Sequence, residues 1–331
     1  MTLGAREAEW PEIFTSERPV DNFRRDVLQG LSSNPKYLSP KYFYDPRGSR
    51  LFDLICATEE YYLTRTESRI LVCHAKEIMA QIPGNLTLIE LGSGSSIKTR
   101  YLLEAGSAIH DYLPIDISRQ HLLQATAALA DQFPSISMHP LAADYTQLDR
   151  LPALRNGTTP LLFFPGSTLG NLDHEQSLAL LSRWHTLLQG RGYLLLGIDL
   201  LKDKEVLEAA YNDKEGYTAD FNTNLLRRIN RELHGNFDLA SFKHEAFFNS
   251  DQGRIEMHLR SVCEQSVQVA GYRFHFAAGE SIHTESSYKF NLGDFRRFVQ
   301  TAAWTLQMTW TDAAQYFGVV LLKALPYHEP S

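Results

Sequence analysis

The chain has 331 residues, 44% of them hydrophobic, and a formal net charge of −7. That length and apolar content support a full core in one large domain or two modest ones, and argue against a disordered chain. The acidic balance offers no basis for gripping a phosphate backbone, so small molecules, not nucleic acid, are the expected partners.

Cys56, Cys73 and Cys263 are odd in number and widely spaced, with no CxxC pair, which fits a reducing cytoplasm. The 12 histidines form no HExxH or paired Cys/His spacing, so no metal is expected. The first twenty residues lack an apolar targeting core, and no later run reaches the roughly 18 apolar residues of a membrane span. The expectation is a soluble, untargeted protein with no membrane contact and no obligate protein partner evident.

In chain order, Phe23, Val27, Leu28 and Leu31 recur at helical spacing. Pro, Gly and clustered aromatics from Tyr42 to Tyr62 then break the period. From Thr66 helix and strand alternate, with apolar runs Leu86–Leu91, Tyr112–Ile115, Pro160–Phe164 and Tyr193–Ile198 as parallel strands of a doubly wound α/β sheet. Asp173 and Gln176 make a capping-box pattern for a helix lined by Leu178, Leu181, Trp184 and Leu188 and followed by Gly190.

Between about 202 and 289 the pattern becomes two helices and then alternating strands, through Ile255, Met257 and Leu259, and through Tyr272, Phe274 and Phe276 beside an Ala-Gly turn. A helix capped at Asn291 follows, then strands near Trp304–Trp310 and Tyr316–Leu322 joined by a short acidic turn. So short a link allows only antiparallel pairing. A reversed last strand on a parallel sheet is typical of class I methyltransferases. The expected division is 66–201 with 290–331 for the sheet domain, and 13–65 with 202–289 for a second, α+β substrate-binding domain.

The strongest local signal is Leu88-Ile-Glu-Leu-Gly-Ser-Gly-Ser-Ser-Ile-Lys98-Thr99, a strand, a Gly92-x-Gly94 turn and a helix start. Both glycines let the backbone approach a ligand closely. A dinucleotide fingerprint would place its third glycine where Ile97 stands, so a ligand without pyrophosphate is favoured. Glu90 beside the turn would repel a phosphate and attract an ammonium, as S-adenosylmethionine presents. Asp116 ends the next strand, where a carboxylate can accept both ribose hydroxyls, unless it only caps a helix. Asp144 and Tyr145 lie where an adenine-contacting acid and aromatic are expected.

Several separated stretches resemble one family, the histidine Nα-methyltransferases of ergothioneine biosynthesis. They are Lys41-Tyr-Phe-Tyr-Asp, Glu60-Tyr-Tyr-Leu-Thr-Arg-Thr-Glu67, Ile89-Glu-Leu-Gly-Ser-Gly, Gly166-Ser-Thr-Leu-Gly-Asn-Leu172, Arg254-Ile-Glu-Met-His-Leu-Arg260, Phe276-Ala-Ala-Gly-Glu280 and Tyr288-Lys-Phe. The resemblance implies S-adenosylmethionine as cofactor, L-histidine as substrate and successive N-methylation to the betaine hercynine. It implies that Gly92, Lys98, Asp116, Asp144 and Tyr145 line the cofactor site. Asn171 and Tyr211 would hold the backbone end of the amino acid and, with Tyr44, form the catalytic group. Gly166 would offer its carbonyl to the amine, Tyr44 and Phe52 would flank it, and Tyr61, Glu285 and Ser287 would address the imidazole beside Met257.

Residues 285 and 287 of an extended strand share one face, so the spacing suits a two-point clamp on a ring with two nitrogens. On the residues alone, Tyr44 and Phe52 read more readily as core, Met257 as packing and Asn171 as a helix cap. A tryptophan derivative is the alternative substrate. Tyr145 stands where phenylalanine is expected and Pro165 precedes Gly166, departures that touch no residue assigned to histidine.

Overall fold

The computed structural model describes residues 19–94, 96–106 and 108–327. Residues 1–18, where the absence of a targeting segment was read, lie outside the described residues, as does Ser95 of the glycine turn.

Helix α1 (Pro19–Ser32) buries the stripe Phe23, Val27 and Leu31 and leads to the short strand β1 (Lys36–Tyr37). The aromatic segment, expected to be irregular, contains a 3₁₀ turn (Pro40–Phe43) and a helix, α2 (Pro46–Ala57). Pro46 starts that helix where its missing N–H costs nothing, and Asp45 caps it by accepting the Gly48 N–H at 2.7 Å. Helix α3 (Tyr62–Ala80) begins ahead of the expected Thr66.

Next come β2 (Asn85–Leu91), α4 (Ile97–Ala105), β3 (Ile109–Asp116), α5 (Arg119–Gln132), the short β4 (Ser137–Met138) and β5 (Leu141–Ala142), β6 (Thr158–Phe164), α6 (His174–Leu187) and β7 (Tyr193–Asp199). The four expected apolar runs are the cores of β2, β3, β6 and β7. They read as continuous because both faces are covered: Leu88, Leu161 and Leu195 join the cluster containing Leu71 and Ile78 of α3, whereas Ile89, Leu162 and Leu194 join that of Leu181 and Trp184 on α6.

After β7 come α7 (Lys204–Ala209), α8 (Tyr217–Glu232), β8 (Phe242–Asn249), β9 (Arg254–Ser261), β10 (Gln265–Val269), β11 (Tyr272–Phe276), β12 (Ser281–Tyr288), α9 (Leu292–Thr301), β13 (Trp304–Thr311) and β14 (Phe317–Ala324). The β10–β11 hairpin turns through Ala270 and Gly271, both at positive φ (52° and 86°), the geometry that matches strand twist. Strand β8 escapes the alternation rule because Lys243, His244 and Glu245 interrupt any apolar pattern; pairing with β9 along its whole length defines it.

The large sheet has the order β13-β14-β7-β6-β2-β3-β4, with β5 also pairing on β3. β2, β3, β6 and β7 run parallel, and β14 is antiparallel to both β7 and β13. This is the class I methyltransferase topology, in which ligands meet the carboxyl ends of the parallel strands. A smaller sheet, β1-β12-β9-β8, joins the N-terminal segment to the insertion through β1 and β12. The sheets meet where Phe290 N–H donates to the Asp199 carbonyl at 2.8 Å.

Candidate active site

At the tip of β2 the backbone turns through Gly92 (φ +71°) and Gly94 (φ +50°), conformations costly for any side chain. A Cβ on Gly94 would meet nothing within 4 Å, and one on Gly92 would lie 3.3 Å from the Tyr145 ring. The turn thus presents bare backbone beside an aromatic ring, a cradle that fits a flat nucleoside base and ribose. Tyr145 is held by an edge contact with Phe164, centroids 5.4 Å apart.

Asp116 stands at the end of β3, half-buried. One carboxylate oxygen accepts the Gly94 N–H at 3.0 Å and the other the Ser118 N–H at 2.8 Å. Each oxygen keeps a second lone pair. Asp144 is tied to its own turn by Thr146 N–H (2.9 Å) and the Thr146 hydroxyl (2.6 Å). Glu90 lies beside the turn, but its carboxylate is 1% exposed and accepts the Tyr112 hydroxyl. Burial pushes it up to about 7 despite hydrogen bonds that oppose the shift, so it sits beneath the turn and not free in the cleft.

Lys98, in the first turn of α4, pairs with Glu67 of α3. Glu67 is fully buried, and both its oxygens accept the Gly166 N–H, at 3.0 and 2.9 Å. A Cβ on Gly197 would fall 2.0 Å from Glu67 Oε1, so β7 needs glycine there to admit the carboxylate. Gly166 (φ +82°) and Ser167 (φ +56°) are both left-handed, a strained pair held by Glu67 and by the Ser167 hydroxyl, which accepts the Asp199 N–H at 2.8 Å. Asn171 ends the following 3₁₀ turn (Thr168–Asn171); Asp173, not Asn171, caps α6, in a full capping box with Gln176. Gly170 lets this loop press on β12, since a Cβ there would lie 2.9 Å from the Tyr288 carbonyl.

A relay of rings joins the N-terminal segment to the turn after α7: Tyr44 follows the 3₁₀ turn, Phe52 lies on α2, Tyr61 precedes α3 and Tyr211 follows α7. Tyr44 and Phe52 meet edge-on at 5.6 Å, Phe52 and Tyr61 at 6.0 Å, and Tyr61 and Tyr211 at 6.1 Å. Tyr44 is 44% exposed, at the mouth. Its hydroxyl is pushed well above the usual phenol range, first by the protein packed around it and then by the nearby Glu285 carboxylate. Glu285 pairs with Met257, which is buried, across a bulge in the β12–β9 register. Burial drives the Glu285 carboxyl up to about 7, with Lys289 opposing. Tyr211 donates its hydroxyl hydrogen to Ser287 Oγ at 2.8 Å.

A family described as histidine-specific, S-adenosylmethionine-dependent methyltransferases matches residues 23–324. The chain belongs to this family. The histidine N-alpha-methyltransferase of Mycolicibacterium smegmatis is 42% identical to it, over 92% of this chain and 96% of that one. That of Mycobacterium tuberculosis is 38% identical, over 90% and 94% of the two chains. Ergothioneine biosynthesis protein 1 of Neurospora crassa is 31% identical over 87% of this chain and 33% of its own length.

This histidine-specific methyltransferase holds charged groups at its centre that motif reading assigned no role. Besides Glu67, Asp199 accepts the Tyr62 hydroxyl (2.8 Å) and pairs with both Lys202 (2.5 Å) and Lys289 (2.8 Å). Only the run Tyr288-Lys-Phe hinted at Lys289. The fold also gathers residues that spacing kept apart: Glu256, His258 and His283 bring ligand-type atoms within 4.8 Å of one another. Residues 256 and 258 alternate with Met257, so this cluster lies on the sheet face away from Glu285. There Arg254 already supplies a cation to Glu256, at 2.9 and 2.7 Å. Among the described residues no helix is long and apolar enough to cross a membrane, and the three cysteines are free thiols.

Proposed function

We propose that this methyltransferase carries methyl groups from S-adenosylmethionine to the α-amino group of L-histidine, in up to three rounds ending at hercynine, within ergothioneine biosynthesis. The observation that carries the reading is Glu285. It is a carboxylate without a side-chain hydrogen bond among the described residues, near the hydroxyls of Tyr44, Tyr61 and Tyr211 and two positions from Ser287 on one strand face. Burying it that way costs stability unless a ligand N–H completes it.

In this reading residues 66–201 with 290–331 hold the cofactor, and 13–65 with 202–289 hold the amino acid. Asp116 takes the ribose hydroxyls, Tyr145 and Asp144 border the base, and Gly92, Gly94 and the Glu67-paired Lys98 shape the turn. Glu90 supports that turn from below. When bound, S-adenosylmethionine supplies an electrophilic methyl group on a sulfonium, so what the chain must provide is position. Asn171 and Tyr211 fix the substrate carboxylate. The Gly166 carbonyl accepts a hydrogen from the amine and thereby aims its lone pair. Tyr44 and Phe52 offer ring faces and edges that tolerate an increasingly methylated cation. Tyr61, Met257, Glu285 and Ser287 enclose the imidazole. An indole substrate would present one N–H and no ring acceptor, and the family's histidine specificity disfavours it.

Mass spectrometry after incubation with S-adenosylmethionine and a pool of free amino acids tests the reading: histidine is expected to gain one, two and three methyl groups in succession. Methylation of another amino acid in preference would reject it. Asp116→Ala is expected to weaken S-adenosylhomocysteine binding by about ten- to a hundredfold in calorimetry, through two lost acceptor contacts, with the circular dichroism of the fold retained. Wild-type affinity in that variant would reject the ribose role.

A further inference from the structure

The Lys289 side chain is 0% exposed, and its ammonium reaches Asp199 Oδ2 at 2.8 Å, Ser287 Oγ at 2.8 Å and the Tyr211 hydroxyl oxygen at 3.3 Å. An ammonium has three hydrogens to donate and accepts none, so all three are committed. Ser287 Oγ therefore accepts from Lys289, and it also accepts the Tyr211 hydroxyl hydrogen at 2.8 Å. A hydroxyl oxygen has two lone pairs. Both are filled, and the only thing Ser287 can still offer the cleft is its own hydrogen. Glu285, two residues along the same strand face, offers acceptors when ionised.

We infer that Lys289 is a positioning residue that turns Ser287 into an obligate donor, so that the cleft selects a ring carrying one N–H and one unprotonated nitrogen. This deepens the histidine reading and rests on it. A neutral imidazole matches both groups: its N–H meets Glu285 and its bare nitrogen meets the Ser287 hydrogen. Pyrrole or indole leaves the Ser287 hydrogen without an acceptor, and imidazolium brings two N–H groups against one acceptor and one donor. Discrimination of this kind is strong because the mismatch strands a buried polar group. Asp199 keeps the ammonium in place, being itself anchored by Tyr62 and Lys202.

The competing account is that Lys289 and Asp199 only staple the ends of β12 and β7 together; such a staple would affect stability without changing which ring is preferred. The test compares kcat/KM for L-histidine, for a pyrrolylalanine (N–H only) and for a thiazolylalanine (acceptor nitrogen only) in the wild type, in Lys289→Met and in Ser287→Ala. Calorimetric Kd replaces kcat/KM for an analogue that binds without turning over. The preference for histidine over pyrrolylalanine is expected to shrink by about tenfold or more in both variants. Pyrrolylalanine itself should change little, thiazolylalanine should fall with histidine, and S-adenosylhomocysteine affinity should stay unchanged. Ser287→Ala carries the test if Lys289→Met does not fold. A uniform loss over all three substrates, or an unchanged preference, overturns the inference while histidine turnover by the wild type leaves the functional reading standing. A wild type that does not methylate histidine overturns both.

Discussion

Replacing Glu285 by glutamine is expected to lower kcat/KM for histidine by about ten- to a hundredfold and yet to raise the thermal stability of the ligand-free protein at pH 8. The first effect is loss of a charged acceptor for the ring N–H. The second follows from linkage. Burial lifts this carboxyl from 4.5 to about 7, with Lys289 pulling the other way. A carboxyl that holds its proton more tightly when folded favours the native state in its protonated form. Its ionisation therefore costs nothing below about pH 4.5, an increasing amount between there and pH 7, and the full amount above. Fully buried, such a shift would be worth about 3 kcal/mol, and partial exposure of the side chain reduces that. Melting curves at pH 5 and pH 8 read the sign directly: the variant should gain at pH 8 and converge on the wild type at pH 5. Equal destabilisation at both values would remove the case for a carboxylate buried in waiting for a ligand.

The largest loss of stability is expected from Glu67→Ala, about 3–5 kcal/mol. Three consequences coincide there. Lys98 loses its partner in a mostly buried position, the Gly166 N–H loses both acceptor oxygens, and a void opens against Gly197. Urea unfolding should show a lower midpoint at an unchanged slope. Because Gly166 and Ser167 are held in left-handed conformations by these contacts, whatever protein remains folded should bind histidine poorly. A variant within about 1 kcal/mol of the wild type would mean that the loop is fixed by other contacts.

These two sites differ in how visible they are in the chain. Glu285 is singled out by the resemblance, and the period of a strand then supports the choice, since Glu285 and Ser287 share a face whatever surrounds them. Glu67 could be quoted as part of a matching stretch but given no task, since its partner Gly166 lies 99 residues away. Helix α2 was hidden by Pro46, which breaks a helix anywhere except where it sits, at the first turn. Asn171 read as a cap until Asp173 proved to occupy that position. His258 and His283 have no telling spacing and become neighbours only through the pairing of β9 with β12.

The sequence by itself determined whatever depends on local periodicity and local chemistry: the doubly buried strands, the glycine turn with Asp116 at the next strand end, the capping box at Asp173 and the antiparallel final pair. Tertiary structure alone decided which charges meet. Asp199 and its neighbour Lys202 stand together at the end of β7, but Tyr62 and Lys289 reach them from the start of α3 and the end of β12, so those contacts exist only once the three elements are packed. The reason is physical: backbone propensity acts over a few residues, whereas the partner of a buried charge is chosen by which surfaces exclude water together.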